Sequence, residues 1–361
     1  MSVPFLQKAA IAGHIAGNKI RGHRQFPLVL MLEPLFKCNL ACRGCGKIRQ
    51  PQEIINRLMT RDECYEAVKT SGAPVVSMAG GEPLLHKDMP EIISGITARK
   101  KFVYLCTNGL LLEKCISDYT PSPYLTFSLH IDGDRAMHDR MTNRPGMFDS
   151  IIRSAGILVN YGFRFTINCT LYKGNSPDEI AGIFDRFFDL GAQGITLSPA
   201  FGYPGESHGE LFLRRDQSVR LFREIFKRGK GRKWKFNQSS LFLDFLAGNR
   251  FYMCTPWGNV TRNVLGWQQP CYLLADGHAP TYQTLMEETD WDAYGPGRRR
   301  ECTHCMLHSG FEATAVNDTL GHPFQALSVY IRGPATQGPI AVIPELDRDA
   351  ERLDVEEALE P

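Results

Sequence analysis

The residues that could do chemistry in this 361-residue chain begin with Cys38, Cys42 and Cys45, a C-x3-C-x2-C run (CNLACRGC) that follows an apolar stretch and reads as a loop. Three thiolates can bind three irons of a four-iron, four-sulfur cube and leave the fourth iron open to a substrate, whereas most electron-transfer clusters take four. The competing readings are a structural zinc knuckle, whose fourth ligand should lie nearby, and three unrelated thiols. A second set, Cys254, Cys271, Cys302 and Cys305, ends in a C-x2-C pair and has enough ligands to saturate an iron-sulfur cluster or a zinc ion. His304 and His308 stand beside that pair and read as bystanders. Cys106 belongs to neither set. It is either a small apolar filler of a buried strand or a reactive thiol, since Phe102, Tyr104 and Cys106 share one strand face and the last reaches the strand end. S–H bonds are weaker than most C–H bonds, so a thiol there could give a hydrogen atom to a carbon radical.

The elements that must position these cysteines alternate between strand and helix. Leu28 to Leu32 reads as a buried strand leading into the cysteine loop, and Thr60-Arg61-Asp62-Glu63 is a capping box that opens a helix. Strands are expected at Pro74 to Ala79, Phe102 to Cys106, Tyr124 to His130, Phe163 to Thr170 and Ile195 to Ser198. Helices are expected at Asp88 to Arg99, Leu110 to Ile116, Phe148 to Asn160, from Ser176 onward and at Asp216 to Lys227. Six such repeats predict an α/β fold, a parallel sheet rolled into a partial (β/α)6 barrel of the TIM type, followed by a smaller cysteine-rich α+β domain. The polar motifs fall at the C-terminal ends of the strands: the cysteine loop, Gly80-Gly81-Glu82-Pro83, Thr107-Asn108-Gly109, Ser128 with His130, Asn168, and Ser198-Pro199. In βα barrels those ends form the mouth, so the motifs should meet in one cavity.

Composition sets outer bounds. At 43% hydrophobic the chain can bury one large core and a satellite domain. Eleven cysteines without a signal peptide or a membrane-length apolar run predict a reducing cytoplasm. Residues 1–26 carry Lys8, Lys19, Arg21 and Arg24 and no acid, too sparse for nucleic acid and without a stacking platform. Residues 5–20 have loosely helical apolar spacing, either a cap on the barrel or a basic amphipathic helix on a membrane surface. The basic run KRGKGRKWK at 227–235 reads as a solvated linker or an anionic-lipid patch. The division expected is an N-terminal helix (1–26), the barrel (27–232), a C-terminal cysteine-rich domain (233–320) and an acidic, mobile tail (321–361).

The C-x3-C-x2-C run matches the defining motif of the radical S-adenosylmethionine (SAM) enzymes, in which the open iron is chelated by SAM and the cluster's electron cleaves SAM to a 5'-deoxyadenosyl radical. Gly80-Gly81-Glu82 resembles the segment of that family that binds the methionyl amino group, two glycines bringing the backbone close. The resemblance further implies that Asn108, Ser128, His130 and Asn168 bind SAM, although each also suits a satisfied polar position inside a barrel. The C-terminal set looks like the shortened auxiliary-cluster domain called twitch, which implies a second 4Fe-4S cluster.

Three longer texts go beyond the superfamily: LEPLFKCNLACRGCGKI at 32–48, FLDFLAG at 242–248 and CTPWGNV at 254–260. Together they resemble the hopanoid-biosynthesis radical SAM enzymes, the adenosylhopane synthases, from the N-terminus to about residue 320. That resemblance implies addition of the deoxyadenosyl radical to the alkene of diploptene, a hopene, with Cys106 returning hydrogen to the adduct. It also implies SAM consumed as co-substrate, a low-potential reductant such as flavodoxin or ferredoxin, and peripheral contact with the inner face of the membrane. The rival readings are a radical SAM enzyme that abstracts hydrogen, such as a peptide maturase, and a non-enzymatic metal protein.

Overall fold

The computed structural model describes residues 3–202, 209–274 and 276–341. The chain opens with α1 (Phe5–Ile20), β1 (Val29–Glu33), α2 (Gln52–Ile55), α3 (Arg61–Ser71), β2 (Val75–Met78), α4 (Met89–Ala98) and β3 (Phe102–Thr107). It continues through α5 (Leu112–Cys115), β4 (Leu125–Ile131), α6 (Arg135–Met141), α7 (Met147–Asn160), β5 (Arg164–Leu171), α8 (Pro177–Asp189), β6 (Ile195–Pro199) and α9 (Arg215–Arg228). The C-terminal part holds α10 (Ser240–Leu246), β7 (Asn259–Asn263), β8 (Gly266–Gln269), β9 (Gly277–Ala279), α11 (Tyr282–Glu288), α12 (His308–Gly321) and α13 (Pro323–Arg332).

The local signals act as their chemistry dictates. Thr60 closes its capping box in both directions, its backbone N–H donating to Glu63 Oε2 at 2.7 Å and its Oγ1 accepting from Glu63 N at 3.3 Å. Ser176 caps α8, with Pro177 at the first helical position, where a missing N–H costs nothing. Strands β1 to β6 are parallel and lie in the order β6-β5-β4-β3-β2-β1, and their side chains are buried on both faces.

The sheet does not stop there. β7 pairs with β1 in parallel, Val29 opposite Asn259 through Glu33 opposite Asn263, and β8 and β9 follow antiparallel, giving nine strands in one sheet. The C-terminal domain thus continues the barrel's own sheet, and one buried cluster runs from Leu30 to Ala315 across the expected boundary at 232/233. The expected tail is corrected: residues 323–332 are helical, and Ser240 Oγ donates to Ala326 O at 2.7 Å. Arg223 binds the carbonyls of Gly338 and Pro339, and Ala341 N reaches Gly248 O at 2.7 Å, so the chain is docked as far as residue 341. The acidic stretch from Glu345 lies outside the described residues.

Helix α1 closes the end of the sheet opposite the mouth. Ile15 packs with Phe26, Leu28 and Ala313, and Tyr104, from inside the sheet, donates its O–H to Oε1 of the buried Gln7 at 3.1 Å. Phe5, Leu6 and Ile20 remain exposed. In the basic run, Arg228 is spent on Asp178 and Glu224, and Arg232 on Asp185, which ties the run to α8 and α9 as a linker. Among the described residues no helix is long and apolar enough to cross a membrane.

Ile15 is 2% exposed and Ile20 86%. Ile15→Ala is expected to cost about 2–5 kcal/mol in denaturant unfolding, and Ile20→Ala less than about 0.5 kcal/mol. Equal effects would show that α1 does not cap the sheet.

Candidate active site

The cysteine loop is held over the strand ends by a backbone clamp. Beyond β1 and β2 the pairing continues into the loops: Ala79 N donates to Leu32 O, Gly81 N to Leu35 O and Glu82 N to Lys37 O, each at 2.9 Å. A Cβ on Gly80 would lie 2.3 Å from Leu35 O, and one on Gly81 2.1 Å from Lys37 O. Gly80 also has φ +105°, so only glycine fits this approach. The two glycines thus fix the segment that enters Cys38.

Glu82 carries the clamp to the third strand. Its carboxylate, 1% exposed, accepts from Leu84 N at 3.1 Å, Thr107 Oγ1 at 2.8 Å and Asn108 N at 2.9 Å. Burial pushes its pKa up to about 7 against the pull of those donors. Asn108 then reaches back to the cysteine loop, its Nδ2 donating to Asn39 Oδ1 at 2.7 Å and lying 4.0 Å from Cys38 Sγ. Glu82 therefore orders loops with both its oxygens; the sequence pattern suggested a partner for SAM's ammonium and gave no sign of this bracing.

One cavity of about 310 Å³ is lined by every residue that sequence reasoning placed in the first site: Cys38, Cys42, Cys45, Gly80, Gly81, Glu82, Cys106, Asn108, Ser128, His130 and Asn168. Burial pushes the Cys38 thiol up to about 11 and Cys42 further still. None of the three thiols has a disulfide partner, so each is available as a ligand once deprotonated. Among the described residues no three His, Cys, Asp or Glu side chains form a site for a metal ion. A cube differs from a single ion in presenting a separate iron to each sulfur, and the donor set fits it: three thiols of one loop on one wall of the cavity, with open polar space before them.

Across the sheet, the inward face of β3 and β4 presents Cys106, Ser128 and His130. Cys106 Sγ lies 3.7 Å from Ser77 Oγ and 3.9 Å from Tyr104 O, and burial raises its pKa against hydrogen bonds from Ser77 and Ser128. The group is therefore held as S–H. His130 Nε2 is 2.8 Å from the buried Asp132 Oδ1. Burial pulls the imidazole down, but Asp132 overrides it and holds His130 above its ordinary value. His138 Nδ1 accepts from Asp132 N at 3.2 Å and fixes that carboxylate's backbone from α6. Asp132 and His138 were missed by sequence reasoning, because a contact from a loop to a helix six residues on leaves no periodic trace.

The cavity's other side is apolar and built partly from the C-terminal region: Leu40, Ile48, Pro199, Phe201 and Phe212 face Leu273 and Leu307. His308, read as a bystander, lies here too; its Nδ1 is 2.8 Å from Ser198 Oγ and burial lowers its pKa to about 4. The four C-terminal cysteines line a second, narrower cavity, and Phe201 and Leu273 belong to the walls of both. A Cβ on Gly310 would sit 2.7 Å from Cys254 Sγ, so this glycine makes room for that thiol.

The profile of the radical SAM superfamily matches residues 32–187, and that of a domain of unknown function (DUF3463) matches residues 195–329. A 4Fe-4S cluster and SAM come with the first match, and the C-terminal cysteines are compatible with an additional cluster. The GTP 3',8-cyclase of Aquifex aeolicus is 30% identical over 47% of this chain and 54% of its own length. The Fe-coproporphyrin III synthase of Methanosarcina barkeri is 28% identical over 41% of this chain and 38% of its own. The chain thus spans about half the length, or less, of these curated relatives. In fold it is similar to SuiB of Streptococcus suis bound to S-adenosylmethionine, with TM-score 0.58, 19% identity and coverage of 71% of this chain and 62% of that one. It is likewise similar to anSMEcpe with bound AdoMet, with TM-score 0.60, 16% identity and coverage of 91% and 99%. The partial barrel, its cysteine loop and the profile match converge on residues 32–187 as a segment similar to the radical SAM superfamily.

Proposed function

We propose that this chain is a radical SAM enzyme that joins the 5'-deoxyadenosyl group of SAM to the exposed alkene of a hopene such as diploptene, forming adenosylhopane, with Cys106 as hydrogen donor. The observation that carries this reading is the position of Cys106: a half-buried thiol on the inward face of β3, lining the same cavity as Cys38, Cys42 and Cys45. When bound, the cluster on those three cysteines together with SAM supplies a carbon radical that adds to the terminal CH2 of the alkene.

The residues of the chain do the rest. The clamp at Gly80 and Gly81 keeps the cysteine loop in place, and His130, oriented by Asp132, stands ready to hydrogen-bond the carboxylate of SAM. Asn168 and Ser128 stand ready for the ribose. The wall of Leu40, Ile48, Phe201, Phe212, Leu273 and Leu307 buries hydrocarbon and keeps water away, which is where the affinity for an apolar polycycle would arise. Cys106 Sγ gives its hydrogen atom to the tertiary carbon left by the addition and becomes a thiyl. One electron from a flavodoxin- or ferredoxin-like donor and one proton return it to the thiol.

Two outcomes test this. In anaerobic incubation with SAM, a strong reductant and diploptene, the wild type should yield a covalent adenosyl-hydrocarbon adduct; stoichiometric free 5'-deoxyadenosine with no adduct would favour hydrogen abstraction instead. Cys106→Ala should keep SAM cleavage while the yield of reduced adduct falls at least tenfold and other products appear; an unchanged yield would remove Cys106 from the mechanism.

Glu82→Gln replaces an acceptor oxygen by an NH2 that faces the donor Asn108 N–H or Thr107 O–H. The loss expected is about 1–3 kcal/mol of stability, with weaker SAM binding measured by calorimetry. Unaltered stability and affinity would show that Glu82 does not brace the site.

A further inference from the structure

The second cysteine set sits against a cation that nothing else in the described structure neutralises. Arg215 is the first residue of α9, and its half-buried side chain reaches toward the C-terminal region. Its Nη1 is 3.5 Å from Cys305 O, and its plane lies over the Phe245 ring with 5.1 Å to the centroid. Among the described residues no carboxylate pairs with it, whereas Arg223, Arg228, Arg232, Arg250 and Arg299 each bind a carboxylate or a set of carbonyls.

A desolvated, unpaired cation is costly to keep, and folds retain one where an anion completes it. Here the missing anion has a natural source. Four thiolates around a metal centre leave a net negative charge; Cys254, Cys271, Cys302 and Cys305 line one cavity, and Cys305 is the one whose carbonyl this guanidinium meets. A fixed positive charge next to such a centre stabilises its more reduced, more negative state.

We propose that Arg215 is the counter-cation of an anionic metal-thiolate centre on Cys254, Cys271, Cys302 and Cys305, and that its charge sets how readily that centre accepts an electron. Arg215 acts on the centre through the field it creates and is a positioning residue, not a catalytic one. The inference rests on the reading of those cysteines as a cluster site and is independent of the hydrocarbon substrate.

The test uses full-length protein purified without oxygen in a Cys38→Ala, Cys42→Ala, Cys45→Ala background, so that iron and its paramagnetic signal report the second set alone. Iron content is measured and the signal is followed by electron paramagnetic resonance through a potentiometric titration, for Arg215, Arg215→Lys and Arg215→Gln. With Gln the reduced-to-oxidised ratio at the wild-type midpoint should fall about tenfold, equivalent to a downward shift of about 59 mV for one electron. Lys should restore most of that ratio. Loss of iron in the Gln variant with retention in the Lys variant would also support the charge. An unshifted midpoint with Gln, loss of iron in both variants, or zinc in place of iron in the parent background would each overturn the proposal, and none of them bears on whether the first site modifies a hydrocarbon.

Discussion

Everything at the mouth depends on two backbone stretches approaching closely enough to share hydrogen bonds where both have left the sheet. The pairing of β1 with β2 runs on through Gly81 N to Leu35 O and Glu82 N to Lys37 O, and no side chain larger than hydrogen fits between them. A loop bearing three cysteines has little bonding of its own beyond Cys45 N to Cys42 O at 3.4 Å, and from outside Arg43 N donates to Met141 O at 2.7 Å. The clamp holds it in place. Glu82 then transmits the constraint to Thr107 and Asn108, and Asn108 returns it to Asn39, so three separate strand ends become one hydrogen-bonded unit.

The same burial that rigidifies the mouth also sorts its ionisable groups. Glu82 is drawn toward neutrality, with a pKa of about 7, and Asp132 is neutralised by His130, so two buried carboxylates leave little net negative charge in the cavity. Asp132 would be pushed up by burial alone, yet His130 and His138 hold it well below the usual carboxylate range. A cavity so balanced can take up a ligand without stranding a charge. Cys106 lies in this region as a neutral thiol, the form from which a hydrogen atom, rather than a proton, can leave.

How far the sequence discloses this arrangement follows from which signals are local. The capping box at Thr60, the cap at Ser176 and the six apolar strands act through neighbouring residues, so they can be read one segment at a time. The convergence of the strand-end motifs was legible because parallel topology forces it. The strand β7 was not, since Asn259-Val260-Thr261-Arg262-Asn263 is mostly polar and becomes a strand by pairing with β1. Nor was α13, whose Phe324, Leu327 and Ile331 stay exposed while its one buried side chain is Ala326, too weak a pattern to register as core. The roles of His308 and Arg215 depend on chain segments about a hundred residues away and have no sequence signature at all.

That dependence on distant segments bears on how the C-terminal region should be understood. Because β7 extends the barrel's own sheet beside β1, the four later cysteines are anchored to the strand that launches the first three. Cys271 is followed directly by Tyr272 and Leu273, which face the mouth, and Cys305 is followed within three residues by Leu307 and His308, which do the same. Whatever fixes the sulfurs of the second set therefore also fixes one wall of the reaction cavity. An auxiliary centre in this position need not touch substrate to matter, since Phe201 and Leu273 line both cavities. The arrangement couples the shape of the apolar wall to the occupancy of the second site through packing, in the manner of a bound group that stabilises only the ordered conformation of the segments holding it.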